Sequence, residues 1–269
     1  ISNWTQTDVA ASTDVTGSSL FGGNWDLEFQ TGHIEAMSVA DQQVQDDWVG
    51  LMAVSVDSVT SGSTSNGASV TVSHTTAGTN RLMLVGISMV PEGESVTSVK
   101  WNGVNLTRIG VEENSAGKAR VEIWQLVAPQ TGTYNVVVNF TGTSHKGATV
   151  GVATFTGVNQ SNPTLAFSSA SGNSNSASTT VASATNDVVF GVVQSHNGTS
   201  VSPGSGQTEY WDINTNEANG EGTVKAGAAS VTSSWTVNND KWSAAAVSIQ
   251  ADTNNTQVIT ATPVQDSYI

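Results

Sequence analysis

The sequence predicts an all-β protein: a two-layer antiparallel sandwich of jelly-roll or immunoglobulin-like type, preceded by an N-terminal arm with one strand and a short helix. Three observations predict it. Short runs rich in Val and Thr follow one another through residues 53–251, separated by Gly, Asn, Ser and Asp. Asn102-Gly103 stands between two such runs at the length of a two-residue hairpin loop. Only 11% of residues are charged, against about 25% in an average domain, and Ser, Thr, Asn and Gly take the surface role instead.

The elements follow in chain order. In "GGNWDLEFQTGHIE" (22–35), Trp25, Leu27 and Phe29 alternate with Asp26, Glu28 and Gln30, the period-2 pattern of a half-buried strand. In "ADQQVQDDWVGLM" (40–52), Ala40, Val44, Trp48 and Leu51 keep helical spacing. These residues form the arm, 1–52. The sandwich, 53–251, holds "ASVTVSH" (68–74), "RLMLVGISMV" (81–90), "VTSVKW" (96–101), "VNLTRI" (104–109), "KARVEIWQLV" (118–127), "TYNVVVNF" (133–140) and "ATVGVATFT" (148–156). It continues with "STTVAS" (178–183), "DVVFGVVQS" (187–195), "TVKAGAA" (223–229), "VTSSWTV" (231–237) and "WSAAAVSIQ" (242–250). Asn197-Gly198 and Asn219-Gly220 read as tight turns, and "SSASGNSNSAS" (168–178) as a low-complexity loop. Residues 252–269 read as a linker or the opening of a next module.

"LMLVGIS" and "VVFGVV" are apolar on both faces, the pattern of strands covered on both sides. A two-layer sandwich covers one face of each sheet, so the second cover is expected from residues 1–52 or from another subunit.

Charge and composition exclude several functions. A net charge of −14 lacks the basic footprint that nucleic acid needs and repels anionic membrane surfaces. No Lys or Arg precedes Arg81, whereas Asp8, Asp14, Asp26, Glu28, Glu35, Asp41, Asp46, Asp47 and Asp57 do. Such a segment calls for screening cations, and calcium is the cation that gathers several oxygens outside a cell. The absence of cysteine removes disulfides and thiolate metal sites. "ISNWTQTDVA" shows no signal-peptide pattern, and the apolar run "LMLVGISMV" is too short to span a bilayer as a helix. The chain reads as a soluble, extracellular segment that starts inside a longer precursor.

Residues 8–52, through "DVAAS", "GGNWDLEFQTGHIE" and onward, resemble the tail of the caspase-like domain of unknown function found in giant bacterial surface proteins with cadherin-like repeats. That family's candidate catalytic His and Cys lie upstream, in motifs this chain lacks, so the resemblance transfers no catalytic role. Residues 53–250 resemble sandwich modules of bacterial extracellular proteins through Val99–Gly110, Arg120–Val138 and Gly206–Trp211. "ATPVQDSYI" is similar to the opening strand of a further surface module.

The candidate sites are few. Trp101, Trp124, Trp211, Trp235 and Trp242 lie in or beside strands. Exposed tryptophan stacks on sugar rings, core packing being the commoner role of Trp in sandwiches, and Trp211 is the one expected to stand exposed. Asp212, Asn214 and Asn216 share the alternate spacing of a calcium loop, with Glu221 beyond, although Glu217 occupies the position of the usual glycine. His33, His74, His145 and His196 are scattered and read as surface or turn residues. No paired carboxylates, nucleophile elbow or phosphate loop is legible, so no enzyme is expected.

The function expected is that of a structural or adhesive module of a secreted bacterial surface protein. It self-associates into an extracellular fibre, with other copies of itself as partner and Trp25, Leu27 and Phe29 as interface anchors. The alternative is a carbohydrate-binding module that takes surface glycans.

Overall fold

The computed structural model describes residues 9–11, 29–31, 54–165, 167–197 and 200–252. The helix expected over 40–52, Trp25, Leu27 and His33 lie outside them. Strands β1 (Val9–Ala11) and β2 (Phe29–Thr31) pair antiparallel with each other.

The remaining strands are β3 (Ser55–Thr64), β4 (Ser69–Thr76), β5 (Leu82–Met89), β6 (Val96–Trp101), β7 (Val104–Asn105), β8 (Thr107–Glu113), β9 (Arg120–Val127) and β10 (Gly132–Phe140). They continue with β11 (Ala148–Thr156), β12 (Ser168–Ala182), β13 (Val188–His196), β14 (Ser202–Pro203), β15 (Gln207–Thr215), β16 (Ala218–Ala226) and β17 (Ser230–Ile249). The all-β antiparallel sandwich is what the chain forms, and it is extended by a third sheet. A four-stranded sheet, β4-β10-β6-β7, faces a five-stranded one, β3-β11-β5-β9-β8. A six-stranded sheet, β12-β17-β13-β16-β15 with β14 on β17, packs on the far side.

The middle sheet is therefore buried on both faces. All eight residues of β5 are buried. Met83, Val85, Ile87 and Met89 enter the first core with Trp101, Val136 and Val150. Leu82 and Leu84 enter the second with Phe155, Phe190, Val192 and Trp211. Fully burying an aliphatic or aromatic side chain contributes about 1.5–3 kcal/mol, which is why both faces of this run are apolar.

The cover for "VVFGVV" likewise comes from the same chain. Strands β12 and β17 form a long ribbon that changes register between Ser174 and Ser176. Its far half lies over the outer face of the six-stranded sheet. There Val193 packs with Trp235, Val237, Trp242 and Ala244, and Val189 packs with Val181, Val231 and Ala246.

Two sequence expectations are corrected here. Residues 168–178 are strand, not loop: the β17 ladder supplies partners to their backbone, and the Trp242 indole N–H donates to Ser174 Oγ at 3.0 Å. Asn219-Gly220 lies inside β16, and the turn falls at Asn216-Glu217. Gly220 serves close approach, since a Cβ there would stand 2.1 Å from Thr149 Oγ1.

Candidate functional site

The expected interface residues are described only at Phe29, which is 52% exposed on β2. A second feature of docking character is β3. It is ten residues long, has neither Lys nor Pro, and closes one edge of the five-stranded sheet. Edge strands without such residues are open to pairing. Val56 on β3 is 48% exposed. It borders an apolar groove of about 290 Å³ with Val54, Phe155, Tyr210 and Val224. Burial pushes the Tyr210 hydroxyl up to about 12.

Among the described residues the tryptophans form no exposed platform. Trp101, Trp124, Trp211, Trp235 and Trp242 are all buried, Trp211 to 5% exposure. Its expected exposure is corrected by a bulge: the register shifts between Glu209 and Trp211. Tyr210 and Trp211 both reach the second core in consequence.

The four residues of the suspected calcium loop form no loop: they lie along the β15–β16 hairpin, where Asp212 pairs directly with Glu221. Asp212 and Asn214 are exposed along β15, the outer strand of its sheet. Asn216, at the turn, lines an open cleft of about 470 Å³ with Ser65, Asn66, Thr143, Ser144, His145 and Lys146. Glu221, on β16, is fully buried. Among the described residues no group of three His, Cys, Asp or Glu is placed to hold a metal.

Two buried glutamates contrast. Glu122 is fully buried and fully engaged: Arg120 Nη2 lies at 2.7 Å, Arg108 Nη1 at 3.6 Å, and the Trp124 indole N–H donates to it at 2.9 Å. Among the described residues Glu221 has no comparable cation. Burial, with the Glu209 and Asp212 carboxylates beside it, pushes its carboxyl up to about 8. Partial burial and Glu209 raise Asp212 as well.

The described histidines are interior rather than surface residues. His74 is 1% exposed and lies 2.7 Å from the hydroxyls of both Thr60 and Thr154. Burial brings it down to about 4, so it is neutral at pH 7. His145 lies 2.9 Å from the Gly67 carbonyl. His196 has Asp240 at 2.8 Å on Nδ1 and Glu217 at 3.3 Å on Nε2. It joins the end of β13 to the β15–β16 turn and to the bend of β17. These contacts join side chains and backbone of different strands and turns, so each ring ties elements of the fold together.

Residues 1–52 match the family described as "Domain of unknown function (DUF4347)". No curated protein and no solved structure matches the chain.

Proposed function

We propose that this chain is a structural, adhesive module of a secreted bacterial surface protein, self-associating into an extracellular fibre through its terminal arm. The observation that carries the reading is Phe29: a large apolar side chain, 52% exposed, on a three-residue strand whose partner is equally short. A two-stranded hairpin is marginal by itself, and leaving an aromatic in water forgoes about 1.5–3 kcal/mol. The β3 edge and the groove at Val56 supply a matching receptor. In strand addition the backbone ladder gives affinity and pockets for alternate side chains give specificity. An arm of one copy placed on the β3 edge of the next is a head-to-tail contact that does not close, and such contacts build fibres.

The match of residues 1–52 to an uncharacterised domain family supports the finer reading, that the arm resembles the tail of the caspase-like domain of giant surface proteins. The hydroxyl-rich composition, with only 11% charged residues, supports an extracellular location. The tryptophans that motivated glycan binding are in the cores and lend that alternative no support. No catalytic step is part of the proposal.

Sedimentation of the full chain and of a variant lacking residues 1–35 tests it. The full chain is expected to assemble and the truncated one to stay monomeric, with Phe29→Asp and Val56→Asp each weakening assembly. A truncated protein that assembles as the parent does, or a full chain that never assembles, rejects the arm as connector.

A further inference from the structure

The body built from β3 to β17 is entered and left at one corner. The Val54 N–H donates to the Asn186 carbonyl at 3.3 Å. The Ala251 N–H donates to the carboxylate of the next residue, Asp187, at 3.0 Å. Val54 and Ala251 are both buried and share a core with Val158 and Ile249. Val158 bridges to Ala251, and the Asp252 N–H donates to the Gly157 carbonyl at 2.8 Å. Asp187, 7% exposed, holds the corner together. Its carboxylate also accepts from the Ala184 N–H at 3.2 Å and from the Ser248 hydroxyl at 3.3 Å. The sequence continues on both sides of the body, before Val54 and beyond Asp252, so tension along the chain reaches the fold here.

What such tension meets follows from the ladders. β3 runs away from the corner, with Ser55 beside Thr156 and Thr64 beside Ala148. β17 arrives at it, with Trp242 beside Ser195 and Ile249 beside Val188. Pulling Val54 and Asp252 apart therefore loads both strands at their near ends and across their length. Ladder bonds then break one after another, as a zipper opens, instead of sharing the load. The two strands are not equal. β17 lies between β12 and β13 and is held by two ladders. β3 is an edge strand, laddered among the described residues to β11 alone. None of its ten residues is fully buried, and segments with few buried apolar contacts open first. β3 is the strand that yields.

We propose that the body is a tension-sensitive module: force along the chain opens the corner closed by Asp187 and peels β3 from β11 before either core is disrupted. Close chain ends are common in domains. Here a buried carboxylate clasps them, and the clasp and the edge strand beside it fail before the cores do. Between its two poles the same body resists more. Thr143 lies at the far pole, in the loop that leads into β11, where the Lys146 carbonyl accepts the Glu217 N–H at 3.0 Å. Tension between Val54 and Thr143 draws β3 and β11 past each other, so nine paired positions share it.

Single-molecule force spectroscopy of the full chain tests this, and because molecules are pulled singly the outcome does not depend on self-association. The chain has no cysteine, so handles attach only where one is introduced. Ala53→Cys with Thr253→Cys loads the corner, and Ala53→Cys with Thr143→Cys loads the β3–β11 ladder along its length. The corner pair is expected to yield at a several-fold lower force, since forced unfolding follows the barrier to opening. Asp187→Ala should lower the corner force further and leave the pole-to-pole force unchanged. Asp187→Asn, which keeps a side-chain carbonyl for the Ala251 N–H, should restore part of the loss. Equal forces in the two geometries, or a higher one at the corner, overturn the proposal whether or not the Asp187 variants fold. A corner force that Asp187→Ala leaves at the parent's value, or an equal fall in both geometries, overturns it as well.

Discussion

Trp211 lies in a slot made by glycines. A Cβ at Gly151 or Gly222 would stand 2.1 Å from its ring, and one at Gly86 would stand 3.2 Å away. Gly151→Val is expected to lose about 3 kcal/mol, the upper part of the range for overpacking, read from urea denaturation. A variant as stable as the parent would mean the ring is not held there. His74 gives a pH signature. Its folded pKa, about 4, lies below the ordinary 6.5, so the unfolded chain takes up a proton first as pH falls. Stability is complete above pH 6.5 and is lost on descending to pH 4, by about 3 kcal/mol in all. Midpoints measured across that window should show the slope, and His74→Gln should flatten it. A slope unchanged in the variant assigns it to other groups. Neither residue's environment was legible in the sequence. The bulge that turns Trp211 inward breaks the alternation from which exposure is read, and the threonines around His74 come from two other strands, one of them 80 residues along the chain.

At the scale of elements much was legible. The runs at 68–74, 81–90, 118–127, 133–140, 148–156 and 187–195 appear as β4, β5, β9, β10, β11 and β13 with ends shifted by a residue or two. The Asn102-Gly103 hairpin is also as expected: both residues have positive φ, 45° and 80°, and Trp101 pairs with Val104. No atom lies within 4 Å of a Cβ placed on Gly103, so Gly103→Val should cost backbone strain alone, about 1–3 kcal/mol. Gly103→Asn should cost less, because Asn tolerates the left-handed region. Equal melting of the Val variant and the parent would reject this register. The run at 104–109 was read as one strand but divides at buried Leu106, with β7 in the outer sheet and β8 in the middle one. A strand that changes sheets keeps its pattern, so the sequence carries no mark of the corner. Likewise the ladder of β12 depends on its partner, not on its own Ser and Asn.

At the scale of the whole molecule, the middle sheet serves two cores at once. Val85 and Leu84, neighbours on β5, belong to different cores, so neither core can be lost while the other keeps its packing. Tryptophan fluorescence and far-UV circular dichroism should therefore report one coincident unfolding transition for the described body. Two separated transitions would show that the third sheet unfolds independently. The sequence by itself determined the all-β class, the antiparallel hairpins and the presence of faces needing cover, because alternation and turn chemistry reside in adjacent residues. Only the tertiary structure decided that the third sheet and the bent ribbon provide that cover. It also decided that Trp211 is core, and that Glu221 is buried although it pairs directly with exposed Asp212. The reason is physical: an apolar face states that it must leave water, but which surface meets it is settled by contacts between residues far apart in the chain.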